Sequence, residues 1–248
     1  MNLELTHNYN QILKKIKNAS EEVGRDPNDI EIVAVCKRQP TDKVIDAIKL
    51  GIKNFGENRY QDAVSRWEKI KKHRKQIKLS FVGSLQSNKC NEVLNFFDKL
   101  ETIDRDKIAK ILSQNLIKKD KKIELSIQVN TGEEKQKSGI IPQEANDFIL
   151  KCRRDYGLNI SGLMCIPPEK DNSAIHFALL QKIAKKNNIK NLSMGMSNDY
   201  EKAILFGATH IRIGTGLFGK RLDHESFHKI QWTRFFIHTL LKLFDLTF

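Results

Sequence analysis

The sequence predicts an α/β protein folded as a single (β/α)8 barrel, a TIM barrel, with an extra helix at its N-terminus. Three observations predict it. Eight short apolar runs alternate with helical patterns, the signature of βα units that lay down a parallel sheet. The chain has 248 residues, close to the length of about 250 at which such barrels fold as one unit. Its apolar fraction, 40%, supplies enough Leu, Ile, Val and Phe for one large core.

The elements follow in order. Leu5 to Val23 reads as an amphipathic helix that packs against the barrel, capping or flanking it. Ile32 to Cys36 is the first strand. Behind Thr41, a residue type suited to an N-cap, Val44, Ile45 and Ile48 repeat at helical spacing. Asn54 to Gly56, Leu79 to Val82 and Lys99 to Thr102 are the second, third and fourth strands. Asp104 is the expected N-cap of a helix carrying Ile108, Ile111, Leu112 and Leu116. Glu124 to Val129, Ile160 to Met164, Asn191 to Ser193 and His210 to Ile213 complete the eight. An internal echo joins the two ends of the chain: Ala47-Ile48-x-x-Gly51 leads to Phe55 as Ala203-Ile204-x-x-Gly207 leads to Ile211. Each reads as a helix end, a terminating glycine and entry into a strand. Residues 1–221 are thus expected to form the barrel. The apolar tail over 222–248, with Trp232, Phe235, Phe236, Leu240 and Phe244, reads as a packing helix, and Arg234, His238, Lys242 and Asp245 interrupt it too often for a membrane span.

No 18-residue stretch is free of charge, so no transmembrane helix is expected, and Met1 to Gln11 lacks the order of a secretory signal. A cytoplasmic location is the expectation. Cys36, Cys90, Cys152 and Cys165 stand singly, without metal-ligand or redox spacing, and read as buried reduced thiols. The 43 Lys and Arg against 30 Asp and Glu give a net charge of +13, which attracts anions of any kind. The excess is largely lysine, in runs such as Lys69 to Lys78 and Lys118 to Lys122, with no interleaved aromatics on which bases would stack. A solvated surface is the expected reading, and a basic nucleic-acid-binding protein is the alternative.

Ligands of such barrels sit at the C-terminal ends of the strands, among the βα loops. The first strand ends in Lys37. A lysine held at an apolar barrel mouth is partly desolvated, and its neutral amine can add to an aldehyde; the same position also suits a solvated lysine leaving a strand. The last strand runs Arg212-Ile213-Gly214-Thr215-Gly216, an arginine followed by small residues whose backbone an anion can approach. Ser193 to Asp199 brings hydroxyls and an N-cap next to that loop. Together these pieces read as a phosphate cup opposite an amine.

Seven ordered segments carry a specific resemblance: Ala34-Val35-Cys36-Lys37, Phe55-Gly56-Glu57-Asn58, Phe81 to Lys89, Lys137-Ser138-Gly139, Gly162-Leu163-Met164, Ser193 to Ser197 and Arg212 to Thr215. In order and spacing the chain resembles the YggS/PROSC family of pyridoxal phosphate homeostasis proteins, from about residue 8 to 221. The resemblance implies a pyridoxal 5′-phosphate (PLP) barrel of fold-type III, like the N-terminal domain of alanine racemase, with PLP in covalent aldimine linkage to Lys37. It implies that Ser197, Gly214 and Thr215 bind the phosphate, that Arg212 faces the pyridine nitrogen, and that Asn58 and Met196 line the ring. It further implies a non-catalytic role in buffering PLP or delivering it to PLP-dependent apo-enzymes, and in amino- and keto-acid balance. Ser80 departs from the pattern, standing where the family usually has histidine.

A PLP-dependent amino-acid racemase is the competing reading. It would need a second proton-transfer group, commonly a Tyr presented through a separate β-domain. Tyr9, Tyr60, Tyr156 and Tyr200 sit in no segment that reads as that domain, and the same consideration leads us to expect a monomer.

Overall fold

The computed structural model describes residues 2–117 and 122–220. The tail expected over 222–248 lies outside the described residues, as does most of the run from Lys118 to Lys122. Eight strands form a closed parallel barrel in chain order: β1 Glu31–Val35, β2 Asn54–Glu57, β3 Lys78–Phe81, β4 Lys99–Ile103, β5 Glu124–Val129, β6 Ile160–Cys165, β7 Asn191–Met196 and β8 His210–Ile213. β8 pairs with β1 and closes the ring.

The helices are α1 Leu3–Glu22, α2 Thr41–Lys49, α3 Tyr60–Lys69, α4 Cys90–Phe96, α5 Asp106–Ile117, α6 Pro142–Arg154, α7 Ser173–Lys186, α8 Tyr200–Leu205 and α9 Thr215–Phe218. α9 is a single turn of four residues and covers little of the barrel. α1 packs against α8 and α2 and so takes the place in the outer ring that a full helix after β8 would fill. Leu5, Ile12, Ile16 and Ala19, spaced seven, four and three residues apart, form its buried stripe. Asn8 donates to the Leu217 carbonyl at 3.1 Å. Just beyond α1, Arg25 donates to the carbonyls of Ile204 and Ala208 at 3.0 and 2.9 Å, satisfying acceptors at the end of α8.

The internal echo is a repeated Schellman cap. Gly51 N–H donates to the Ile48 carbonyl and Ile52 N–H to that of Ala47, while Gly207 N–H donates to Ile204 and Ala208 N–H to Ala203. Both glycines have left-handed φ, +90° and +89°. Phe55 and Ile211 then enter the core fully buried.

Several expectations are corrected. Thr41 is the first residue of α2, and Pro40 occupies the N-cap position without a side-chain bond. Asp104 does not cap α5: the Arg105 carbonyl accepts the first helical N–H groups, and the Asp104 carboxylate pairs with the Arg105 guanidinium at 2.5 Å. Strand β7 does not stop at Ser193 but runs to Met196 through a register shift against β8. Gly195 makes this possible: its φ is +90°, and a Cβ there would lie 2.6 Å from that of Ala203. The first strand begins and ends one residue earlier than expected, and α1 runs two residues further toward the N-terminus. Among the described residues, no helix is long and apolar enough to cross a membrane.

Candidate functional site

The strand ends gather Lys37, Asn58, Met196, Ser197, Arg212, Gly214 and Thr215 around one cavity of about 730 Å³. All seven residues singled out from the sequence line it. Lys137, Lys202, Asp171 and Asp199 line it too. Lys137 is paired with Glu134. Among the described residues no group of His, Cys, Asp and Glu could hold a metal ion.

Lys37 lies two residues beyond β1, half-buried. Cys36 N–H still donates to the Gly56 carbonyl at 2.9 Å, so the strand's alignment carries up to the lysine. Asn58 follows β2, and its backbone passes so close to Gly83 that a Cβ on the glycine would sit 2.0 Å from the Asn58 carbonyl oxygen. Bare backbone at 83 therefore lets Asn58 approach this closely.

The loops after β7 and β8 meet at Ser197. Its Oγ accepts from Gly216 N–H at 3.0 Å and lies 3.5 Å from Thr215 Oγ1. A Cβ at Gly216 would approach that Oγ to 3.1 Å, so a small residue lets the two loops close. Asp199 shapes the turn: its Oδ1 accepts from Met196 N–H at 2.7 Å, and its own N–H donates to the Met196 carbonyl at 3.0 Å. Asp199 thus stands at the N-cap position of α8 with its carboxylate engaged elsewhere. Ser193, expected beside the cup, is instead buried below it.

Ser193 belongs to a polar chain inside the barrel. Arg212 is 4% exposed and donates to Ser193 Oγ at 2.8 Å and to the Cys165 carbonyl at 2.7 Å. Ser193 donates onward to Glu101 Oε2 at 2.5 Å, and Lys99 Nζ stands 3.6 Å from the other carboxylate oxygen. β4 and β7 are not neighbours in the barrel, so the Glu101–Ser193 bond crosses its interior. Burial works to raise the Glu101 carboxyl, but Lys99, Arg212 and the Ser193 hydrogen bond outweigh it and hold it below its ordinary 4.5. Ser80 is buried in β3, in register with Lys99, and is not among the residues lining the cavity.

Sequence reasoning missed this chain, and a second buried group of Glu57, Arg66 and Trp67 behind the Lys37 loop. A signal existed for the first: Lys99 and Glu101 are charged residues two apart on a strand, so they share one face.

Comparisons with known proteins give the family and the fold. Residues 4–221 match the family described as "Alanine racemase, N-terminal domain". The chain is 34% identical over 229 residues to the pyridoxal phosphate homeostasis protein of Haemophilus influenzae, covering 88% of this chain and 97% of that one. The chain belongs to the pyridoxal phosphate homeostasis protein family. Another member, from Vibrio cholerae, is 37% identical over 227 residues, with 88% and 96% covered. Among solved structures, PipY of Synechococcus elongatus, determined with PLP bound, superimposes with a TM-score of 0.70 at 26% identity, covering 83% of this chain and all of that one. The alanine racemase of Clostridium difficile aligns with a TM-score of 0.68 at 13% identity, over 91% of this chain and 59% of that one, a likeness of fold alone.

Proposed function

We propose that this protein binds pyridoxal 5′-phosphate in the cavity at the barrel mouth, joined to Lys37, and serves PLP homeostasis as a carrier rather than a catalyst. One observation carries the reading: an amine, a buried guanidinium and a pair of loop hydroxyls converge on a single cavity in a member of this family. PLP bound in the Synechococcus relative supports the same ligand.

The donor set fits the group. When bound, PLP supplies an aldehyde that condenses with a primary amine. Lys37 would present the primary amine for that condensation, in which the carbonyl oxygen would leave as water. Ser197 and Thr215, with the Gly214 backbone, would hold the phosphate, while Asn58 and Met196 would line the ring. Arg212, which lines the same cavity, would face the pyridine nitrogen. A guanidinium keeps its proton, so a ring nitrogen placed against it would stay unprotonated and the cofactor would be a weak electron sink. That restraint suits holding and handing on a reactive aldehyde to PLP-dependent apo-enzymes better than broad catalysis. In the same reading the protein is a cytoplasmic monomer that carries the PLP site in its barrel.

The test is an absorbance spectrum of the protein with PLP, followed by borohydride reduction and peptide mapping. An imine band and a label on Lys37, both lost in Lys37→Ala, are expected. A label on another lysine, or a Lys37→Ala protein that keeps a covalent adduct, overturns the reading.

A further inference from the structure

We infer that Arg66 is a positioning residue for Lys37, a clamp that grips the backbone on both sides of the lysine and sets where its amine stands. The inference rests on reading Lys37 as the Schiff-base lysine. Arg66, in α3, is 5% exposed, and its guanidinium uses three edges at once. Nε donates to Glu57 Oε1 at 2.8 Å, Nη1 to the Gln39 carbonyl at 2.6 Å and Nη2 to the Cys36 carbonyl at 3.0 Å. Cys36 and Gln39 bracket Lys37 and Arg38. One rigid fork therefore fixes the two ends of the segment that carries the amine.

The segment needs holding. Arg38 sits at φ +54°, a left-handed conformation that a side-chain-bearing residue keeps only when its surroundings over-determine it. Gln39 N–H closes the turn onto the Cys36 carbonyl at 3.0 Å, the same oxygen that Arg66 engages. Glu57, 1% exposed, is the counter-charge that lets the guanidinium stay buried, and Trp67 Nε1 donates to the same carboxylate oxygen at 3.1 Å. Glu57 also ends β2 immediately before Asn58, so the clamp ties two strand ends that meet at the cavity. Neither Arg66 nor Glu57 lines the cavity. Their influence on the amine passes through the backbone they hold.

Placement matters because the cavity offers PLP two other amines, Lys137 and Lys202. A carbonyl carbon reacts with the amine held close above its face, and a displacement of about 1 Å can cost on the order of a hundredfold in rate. The clamp makes Lys37 the amine in place.

The test compares wild type with Arg66→Lys, Arg66→Met and Glu57→Gln, using PLP itself as the probe. It measures the rate of imine formation and the distribution of borohydride-reduced label among lysines, alongside cooperative unfolding of each variant. Wild type is expected to carry the label on Lys37. The Arg66 variants are expected to form the imine about tenfold or more slowly and to spread label toward Lys137 and Lys202. Lysine at 66 keeps the charge but cannot span three acceptors, so it should fail to restore the rate even where stability is near wild type. Glu57→Gln retains an acceptor oxygen and should slow the reaction less. If wild type is labelled on Lys37 and any cooperatively folded Arg66 variant matches its rate and label distribution, the clamp is wrong and the Lys37 reading stands. Should Glu57→Gln alone fold, a wild-type rate and distribution in that variant overturns the clamp equally. If wild type is not labelled on Lys37, the underlying reading falls and takes the clamp with it.

Discussion

Replacing Glu101 with glutamine is the sharpest probe of the barrel interior. The change is isosteric, so no cavity opens, and what it removes is one buried negative charge. Glu101 is fully buried, and the cations that depend on it, Lys99 and Arg212, are 5% and 4% exposed. Removing one partner of a buried ion pair leaves an uncompensated charge, at a cost of about 3–5 kcal/mol. For a chain of this size each 1 kcal/mol moves the melting temperature by roughly 2–4 °C, so Glu101→Gln should melt about 6–20 °C below wild type. Over most of the usual range of about 5–15 kcal/mol for domain stability the variant stays folded, which keeps the measurement possible. The pH dependence has a definite sign. The folded-state carboxyl lies below its ordinary 4.5, so its stabilisation is complete above that value and is lost as pH falls through the lower folded value. The gap between variant and wild type should therefore be widest at neutral pH and close in acid. Urea and thermal unfolding, followed by circular dichroism across pH, measure both effects. A loss under about 0.5 kcal/mol at neutral pH, the size of an ordinary surface substitution, would refute the argument. So would a gap that widens toward acid.

Three further outcomes are expected. Gly83→Ala forces a Cβ to within 2.0 Å of the Asn58 carbonyl oxygen, so something must move; urea melts should register a loss of about 1–3 kcal/mol, and PLP titration a weaker complex. Thr215→Val removes one hydroxyl from the proposed phosphate cup and should weaken PLP retention about tenfold, as a hydrogen bond to a charged group does; an unchanged dissociation constant by equilibrium titration would remove Thr215 from the cup. Burial pushes Cys152 and Cys165 up to about 12 and Cys90 up to about 11, so alkylation of the native protein at neutral pH should be far slower than in denaturant, with peptide mapping identifying any early site.

The cavity residues were legible in sequence because a closed barrel turns chain order into position. Each strand end faces the same rim, so finding Lys37 after the first strand and Arg212 to Thr215 on the last was enough to bring them together. The repeated Schellman caps were legible for a related reason: a glycine with left-handed φ must follow a helix at a fixed offset, whatever the rest of the fold does. Capping at Thr41 and Asp104 was misread because hydroxyl and carboxylate groups have several local partners, and Asp104 found Arg105.

Alternation, length and ordered motifs within this sequence determined the barrel, the direction of its rim and the lysine at its mouth. Local period and chain order suffice for those. Only the tertiary structure decided what holds these groups in place: Glu101 reaching Ser193 and Arg212 across the barrel, and Arg66 reaching back over the Lys37 loop. Glu101 and Ser193 are 92 residues apart, and Arg66 and Cys36 are 30 apart. The physical reason is that a buried charge is stable only where partners from distant elements converge on it, and no local pattern records that convergence.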